Sequence, residues 1–267
     1  MYLVQFEIMC RLAIYIGPQL SLENLLVKPE YGLMEQSWGP KEMNEGKLNA
    51  DGYGFAWFND GNQPASYRNP MPIWTDINLG SLARTLTASQ WFANVRSATV
   101  GLDVSHANTQ PFTDEKFIYL HNGYIKDFKI NYRAKIRSLI DDDYDKQING
   151  TTDSEYIFAL ICQAANKNPG VVIPDIFRIV FDQLGKAIKS SSALLNIVLG
   201  DGEKIFASRH AINGDCPSLY YNVQDDLYPG GQLIVSEPFH ESTNWRQVPE
   251  HHIITLDGIN DASLTKI

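Results

Sequence analysis

The spacing of apolar residues changes period twice along this chain, and that change constrains the fold more than any single motif. In the first half the apolar runs are short and strand-like. "LAIYIG" alternates weakly and stops at Gly17-Pro18, "GYGFAWF" leads into the turn "NDGN", and "WFANVRSA" and "KFIYLHNG" follow. "SLENLLV" reads as a short helix with Ser21 as its N-cap. The middle switches to helical spacing. "SEYIFALICQAANK" places Tyr156, Leu160 and Ile161 near one face behind an N-cap at Asp153, and "PDIFRIVFDQLGKAIKS" opens on a proline and spaces Ile176, Ile179, Val180, Leu184 and Ile188 helically. Strands then resume: "ALLNIVL", a "GDGE" turn, "KIFASRH", "SLYYNV", "QLIVSEP" and "HIITL". Strands, then helices, then strands is the order of an α+β layered fold with antiparallel sheets in one domain, not of alternating βαβ units.

Composition narrows the function classes. With 22 Lys and Arg against 31 Asp and Glu, the formal charge of -9 opposes general nucleic-acid binding, which needs basic surface. No run approaches the roughly 18 apolar residues of a membrane span. Three widely spaced cysteines, Cys10, Cys162 and Cys216, form neither a disulfide framework nor a CxxC metal site and favour a reducing cytoplasm. Residues 1–9 lack the basic start and the length of a signal peptide. They read as a start called too early, a short propeptide, or a retained extra strand. The domain itself is expected to be 10–267.

Four stretches carry candidate chemistry. "FEIMCRLA" places Cys10 after an internal methionine. Translation from Met9, followed by removal of that methionine, would leave a thiol beside a free α-amino group, a nucleophile and a base in one residue. "NVRSATVG" puts Arg96 at the end of a strand, where a guanidinium fork could clamp a carboxylate. "LHNGYI" places Asn122 and Gly123 directly after a strand. Alone this is a turn signal, but an Asn amide and a Gly backbone N–H also make an oxyanion hole. "GTTDSEY" sets Asp153 at a helix start, where it caps the helix or accepts from a substrate ammonium group. "NTQPF" reads as a rigid turn. His251 and His252 open a strand and would point to opposite faces, so no metal site is expected. His121 is expected to pack against or position the Asn-Gly turn, and Cys162 and Cys216 have no evident activating partner.

The ordered set "MCRLA", "NADGYGFAWF", "NVRSATVG", "NTQPF", "LHNGYI", "TDSEYIF" and "VSEPF" resembles the class II glutamine amidotransferases, which are N-terminal-nucleophile hydrolases, from Cys10 to about Trp245. "MEQSWGPKEMNEGKLNADGYGFAWF", "PASYRNPMPIWTDINLGSLAR" and "VRSATVG" are most similar to the branch acting in ergothioneine biosynthesis, which removes the γ-glutamyl group from γ-glutamyl-hercynylcysteine sulfoxide. The resemblance implies a four-layer αββα sandwich and no cofactor. It implies Cys10 as nucleophile, Asn122 and Gly123 as oxyanion donors, and Arg96 and Asp153 as γ-glutamyl ligands, with Thr99 as a further substrate contact. Asp51, Gly52 and Gly54 would shape the strand beside the nucleophile. The extension before Cys10 departs from the family pattern: if it stays attached, the amine is an amide and the base is lost. The alternatives are a glutaminase supplying ammonia to a partner synthetase, a hydrolase of glutathione-type γ-glutamyl peptides, and a non-catalytic binding protein on the same fold. The leaving half of the substrate and the oligomeric state are not readable: a cationic leaving group would favour aromatic or acidic walls and Tyr31, Trp38, Tyr53, Trp74 and Trp91 are available, but most aromatics serve the core and no site is assigned from them.

Overall fold

The computed structural model describes residues 10–42, 48–97 and 103–267. Fourteen strands are described: β1 (Arg11–Ser21), β2 (Tyr53–Phe58), β3 (Pro64–Asn69), β4 (Thr87–Val95), β5 (Phe112–Thr113), β6 (Ile118–Ile125), β7 (Ala193–Gly200), β8 (Ile205–Arg209), β9 (Ala211–Ile212), β10 (Tyr220–Asn222), β11 (Gln232–Val235), β12 (Arg246–Gln247), β13 (His252–Leu256) and β14 (Ser263–Lys266). The α-helices are α1 (Leu22–Leu26), α2 (Leu33–Gln36), α3 (Leu79–Thr85), α4 (Arg133–Arg137), α5 (Asp142–Asp145), α6 (Asp153–Lys167) and α7 (Ile173–Ile188).

The strands form two antiparallel sheets. The first runs β12-β10-β11-β1-β4-β2-β3 and the second β14-β13-β8-β7-β6-β5, with β9 on β7. Alternation along the central strands builds three apolar layers from single strands. In β1, Leu12, Ile14 and Ile16 point between the sheets, whereas Ala13 and Tyr15 point outward beneath α1 and α3. In β6, Ile118 and Leu120 face the inter-sheet layer, and Tyr119 and Ile125 face α6 and α7. Helix, sheet, sheet, helix is the resulting order, so the αββα expectation holds.

Three local readings are corrected. β1 does not stop at Gly17-Pro18: it continues to Ser21 across a register shift between Ile16 and Leu20, so the proline sits at an irregularity that needs no ladder N–H. The N-cap of α6 is Thr152 rather than Asp153, which is the first helical residue. The Asn-Gly pair is not a turn after a strand. Asn122 pairs with Asn196 and Gly123 with Leu195 of β7, so tertiary pairing overrides the local turn signal. The 1–9 extension and Thr99 lie outside the described residues.

Candidate active site

Cys10 precedes β1, half-buried, with its Sγ 3.8 Å from the Ser97 carbonyl oxygen. The register sets this approach: Arg11 pairs with Val95 of β4, so Arg96 and Ser97 pass beside Cys10. Burial pushes the Cys10 thiol up, and it prevails over the backbone contact with Ser97 and the positive charges of Arg96 and Arg11, which pull it down. The resting group is therefore a thiol, and attack by it requires a base.

The next residue holds Cys10 in place. Arg11 is buried, donates from Nε to Glu237 Oε1 at 2.5 Å and from Nη1 to the Cys10 carbonyl at 2.9 Å. Glu237 also accepts from Tyr31 Oη at 2.6 Å and from the backbone N–H groups of Lys41 and Glu42 at 2.9 and 3.1 Å. Burial alone would raise the Glu237 carboxyl, but Tyr31, Arg11 and the two N–H groups bring it below its ordinary value. A charged pair thus fastens the end of β1 to the end of β11. Arg11 and Glu237 lie within the motifs "MCRLA" and "VSEPF", but neither motif by itself marks them as a pair. The available signal was a charged residue at the end of each of two apolar strands.

Asn122 reaches the same end of the molecule from the other sheet. Its Nδ2 donates to Ser236 Oγ at 3.3 Å, and the same hydroxyl oxygen accepts from the Leu12 N–H at 3.0 Å. Ser236 therefore joins the Asn122 amide to main chain two residues from Cys10. One Nδ2 hydrogen remains available beyond that bond. Gly123 has no room for a side chain: a Cβ there would lie 1.9 Å from the Leu194 carbonyl oxygen and 2.6 Å from His121 Nε2. His121 positions the strand rather than a turn. Its ring bonds Ser154 Oγ at 2.9 Å and Leu194 O at 2.8 Å, and Gln110 bonds both its N–H and its carbonyl. Because a carbonyl oxygen only accepts, Nε2 carries the proton and Nδ1 accepts from Ser154. Burial lowers the His121 pKa, in keeping with a neutral ring.

Arg96 is 4% exposed and is knitted into the "NADGYG" segment. Its N–H donates to Gly52 O at 2.7 Å, its carbonyl accepts from Asp51 N–H at 3.0 Å, and its Nη1 donates to Asp51 O at 3.2 Å. Gly52 adopts φ +115°, and a Cβ on Gly54 would meet the Gln110 carbonyl at 2.3 Å, so both glycines are needed where these chains cross. Asp153 lies on the helical side of β6, where Oδ2 accepts from Ile125 N–H at 2.5 Å and Oδ1 from Ser154 N–H at 2.8 Å. Among the described residues no hydrogen bond or ion pair joins Asp153 to Cys10, Arg96 or Asn122. The structure brings Cys10, Arg96 and Asn122 to one end, and main-chain bonds from Ile125 of β6 and Ser154 fix the Asp153 carboxylate where α6 begins.

The other cysteines are unactivated: burial pushes both Cys162 and Cys216 up. A cavity of about 800 Å³, lined by Asp114, Tyr144, Cys162 and Asn166 among others, does not include Cys10. Reactive groups rather than cavity size mark the site. Tyr53 and Trp91 belong to the core, whereas Trp38 and Trp74 are exposed with ring centroids 5.7 Å apart. No described helix is long and apolar enough to cross a membrane.

The sequence profile of the class-II glutamine amidotransferases matches residues 37–226. This chain belongs to the class II glutamine amidotransferases. Among curated relatives of this amidotransferase, a γ-glutamyl-hercynylcysteine sulfoxide hydrolase of Mycolicibacterium smegmatis is 27% identical over 93% of this chain and 96% of its own length. A Mycobacterium tuberculosis protein of the same name is 29% identical over 97% and 98%. A probable glutamine amidotransferase of Saccharomyces cerevisiae is 28% identical over 93% and 82%. A solved class-II domain protein from Silicibacter pomeroyi superposes with a TM-score of 0.67 at 22% identity, covering 96% of this chain and 99% of its own. The Bacillus subtilis glutamine phosphoribosylpyrophosphate amidotransferase superposes at 0.60 and 14% identity, and this chain spans 49% of its length. These structural likenesses establish the shared fold.

Proposed function

We propose that this amidotransferase hydrolyses a γ-glutamyl amide with Cys10 as an N-terminal nucleophile, and that its substrate is γ-glutamyl-hercynylcysteine sulfoxide in ergothioneine biosynthesis. The observation that carries the reading is the convergence of Cys10, Arg96 and the Asn122 amide, with Ser236 bonding both Asn122 and the chain beside Cys10. The mycobacterial relatives, named for hydrolysis of that conjugate and matched along almost their full length, support the substrate.

In this mechanism the chain begins at Cys10, and its α-amine, with a pKa near 7.7–8.0, takes the thiol proton directly or through water. The base is needed because burial keeps the thiol protonated. Sulfur attacks the γ-carbonyl, and the tetrahedral oxyanion accepts from Asn122 Nδ2–H and Gly123 N–H. The amine then protonates the leaving nitrogen, and water hydrolyses the thioester to release glutamate. Arg96 pairs with the α-carboxylate. Asp153, which has lone pairs beyond its bonds to Ile125 and Ser154, accepts from the α-ammonium, and Thr99 adds a substrate contact. Trp38 and Trp74 offer aromatic faces to a cationic leaving half.

The test is an intact mass of protein purified from its native host, paired with turnover of three substrates: the γ-glutamyl sulfoxide conjugate, free glutamine and glutathione. The expected mass is that of a chain starting at Cys10, with the conjugate turned over fastest. Full activity in protein retaining residues 1–9 would remove the proposed base and refute the mechanism. Preference for glutamine would point to ammonia supply for a synthetase, and preference for glutathione to peptide hydrolysis.

A further inference from the structure

A second constellation of metal-ligating groups lies on other segments than the Cys10 site. The side chains of Cys216, Glu250 and His251 each present a ligand atom, and the three atoms lie within 4.8 Å of one another. They come from the loop before β10 and the turn before β13. His251 is not part of the β13 strand. It has φ +57°, β13 begins at His252, and the expected opposition of the two histidine faces therefore does not govern this site.

The surrounding framework is ordered before any ion arrives. Arg209 is buried and donates from Nε to Pro217 O at 2.8 Å and from Nη1 to Val248 O at 3.0 Å, tying the two ligand-bearing segments together. The His251 N–H donates to Arg209 O at 2.7 Å, and its carbonyl accepts from Ile267 N–H at 2.8 Å, so the turn is fixed on both sides. His210, from the link between β8 and β9, stacks on Phe181 with centroids 4.8 Å apart and places Nδ1 3.0 Å from His251 Nδ1. A ring nitrogen held by an outer partner is the usual second half of a metal-ligating histidine.

We propose that Cys216, Glu250 and His251 bind a divalent ion of the zinc class, with His210 orienting the His251 ring. One thiolate, one carboxylate and one imidazole suit a borderline-soft ion rather than calcium or magnesium, which take oxygen ligands. Zinc bonds of about 2.0–2.3 Å put ligand atoms roughly 3.3–3.7 Å apart in a tetrahedron, so the group must contract by about 1 Å. Glu250 is exposed and supplies that movement by side-chain rotation. Binding releases the Cys216 thiol proton to solvent as the sulfur–metal bond forms. The thiolate and carboxylate together neutralise the ion, and before that rotation Arg209 Nη2 lies 3.4 Å from Glu250 Oε1. The bound ion would clip the loop before β10 to the turn before β13.

Cobalt(II) titration of Cys10→Ser protein tests this without interference from the nucleophile thiol. The expected result is one ion per chain, thiolate-to-cobalt charge-transfer absorption in the near ultraviolet, displacement by zinc, and a zinc-dependent rise in Tm. Adding Cys216→Ser should abolish the charge-transfer band. Adding His251→Asn, which tolerates the same φ, should weaken cobalt binding at least tenfold, and Glu250→Gln covers the case in which either variant misfolds. Absence of a thiolate band, or its persistence in the Cys216→Ser protein, would overturn the site.

Discussion

Replacing Glu237 by Gln removes the counter-charge of a guanidinium that water cannot reach, since the Arg11 and Glu237 side chains are each 1% exposed. Glutamine keeps the volume but substitutes a donor for one acceptor, against Arg11 Nε, Tyr31 Oη and two backbone N–H groups. Arg11 cannot recover by turning, because its Nη2 already lacks a partner among the described residues and its Nη1 is used on the Cys10 carbonyl. Removing one partner of a buried pair costs about 3–5 kcal/mol. For a domain of this size each kcal/mol moves Tm by roughly 2–4 °C, so the expected drop is about 6–20 °C by calorimetry. Because the same arginine holds the Cys10 main chain, kcat should fall as well. The double variant Arg11→Met/Glu237→Gln should be more stable than Glu237→Gln alone, since it no longer buries an unpaired cation. A Tm within about 2 °C of the parent for Glu237→Gln would refute this reasoning.

Asn122→Ala should lower kcat by about 10²–10³ with a smaller change in KM, measured with the conjugate substrate, whereas Arg96→Ala should chiefly raise KM. Gly123→Ala should fail to give soluble protein, or lower Tm severely, because its Cβ would overlap the Leu194 carbonyl. The Asp76 carboxyl, although burial alone would raise it, is held at about 2 by hydrogen bonds from Tyr67, Tyr53, the Asn78 N–H and Asn69. Its folded value is lower than its unfolded one, so its contribution is complete above about pH 3.9 and is lost as pH falls through 2. Discounted for solvent screening this is about 1 kcal/mol, and Asp76→Asn should flatten the acid limb of a Tm–pH curve by that amount.

Much of the architecture follows from local pattern. The helical spacing of "SEYIFALICQAANK" and "PDIFRIVFDQLGKAIKS" corresponds to α6 and α7, and the "GDGE" turn joins β7 to β8 as its chemistry demands. The nucleophile, arginine, oxyanion and acid candidates were legible because each belongs to a short ordered motif. Three features were not. Gln110 was hidden inside a stretch that reads as a turn, yet it bonds His121 on both sides. Arg11 and Glu237 are 226 positions apart, and nothing local marks them as a pair. His251 read as a strand residue until its positive φ placed it beside Cys216.

By itself the sequence determined the order of strands and helices and the residue types available for chemistry, because side-chain periodicity and turn propensity act over a few neighbouring residues. Tertiary structure alone decided which of those residues meet. Strand register carries Arg96 and Ser97 past Cys10, and the stacking of two sheets delivers Asn122 to Ser236. Such contacts depend on pairing between segments 87 and 114 residues apart. The conformational freedom that separates those segments is overcome only when the whole apolar sandwich closes.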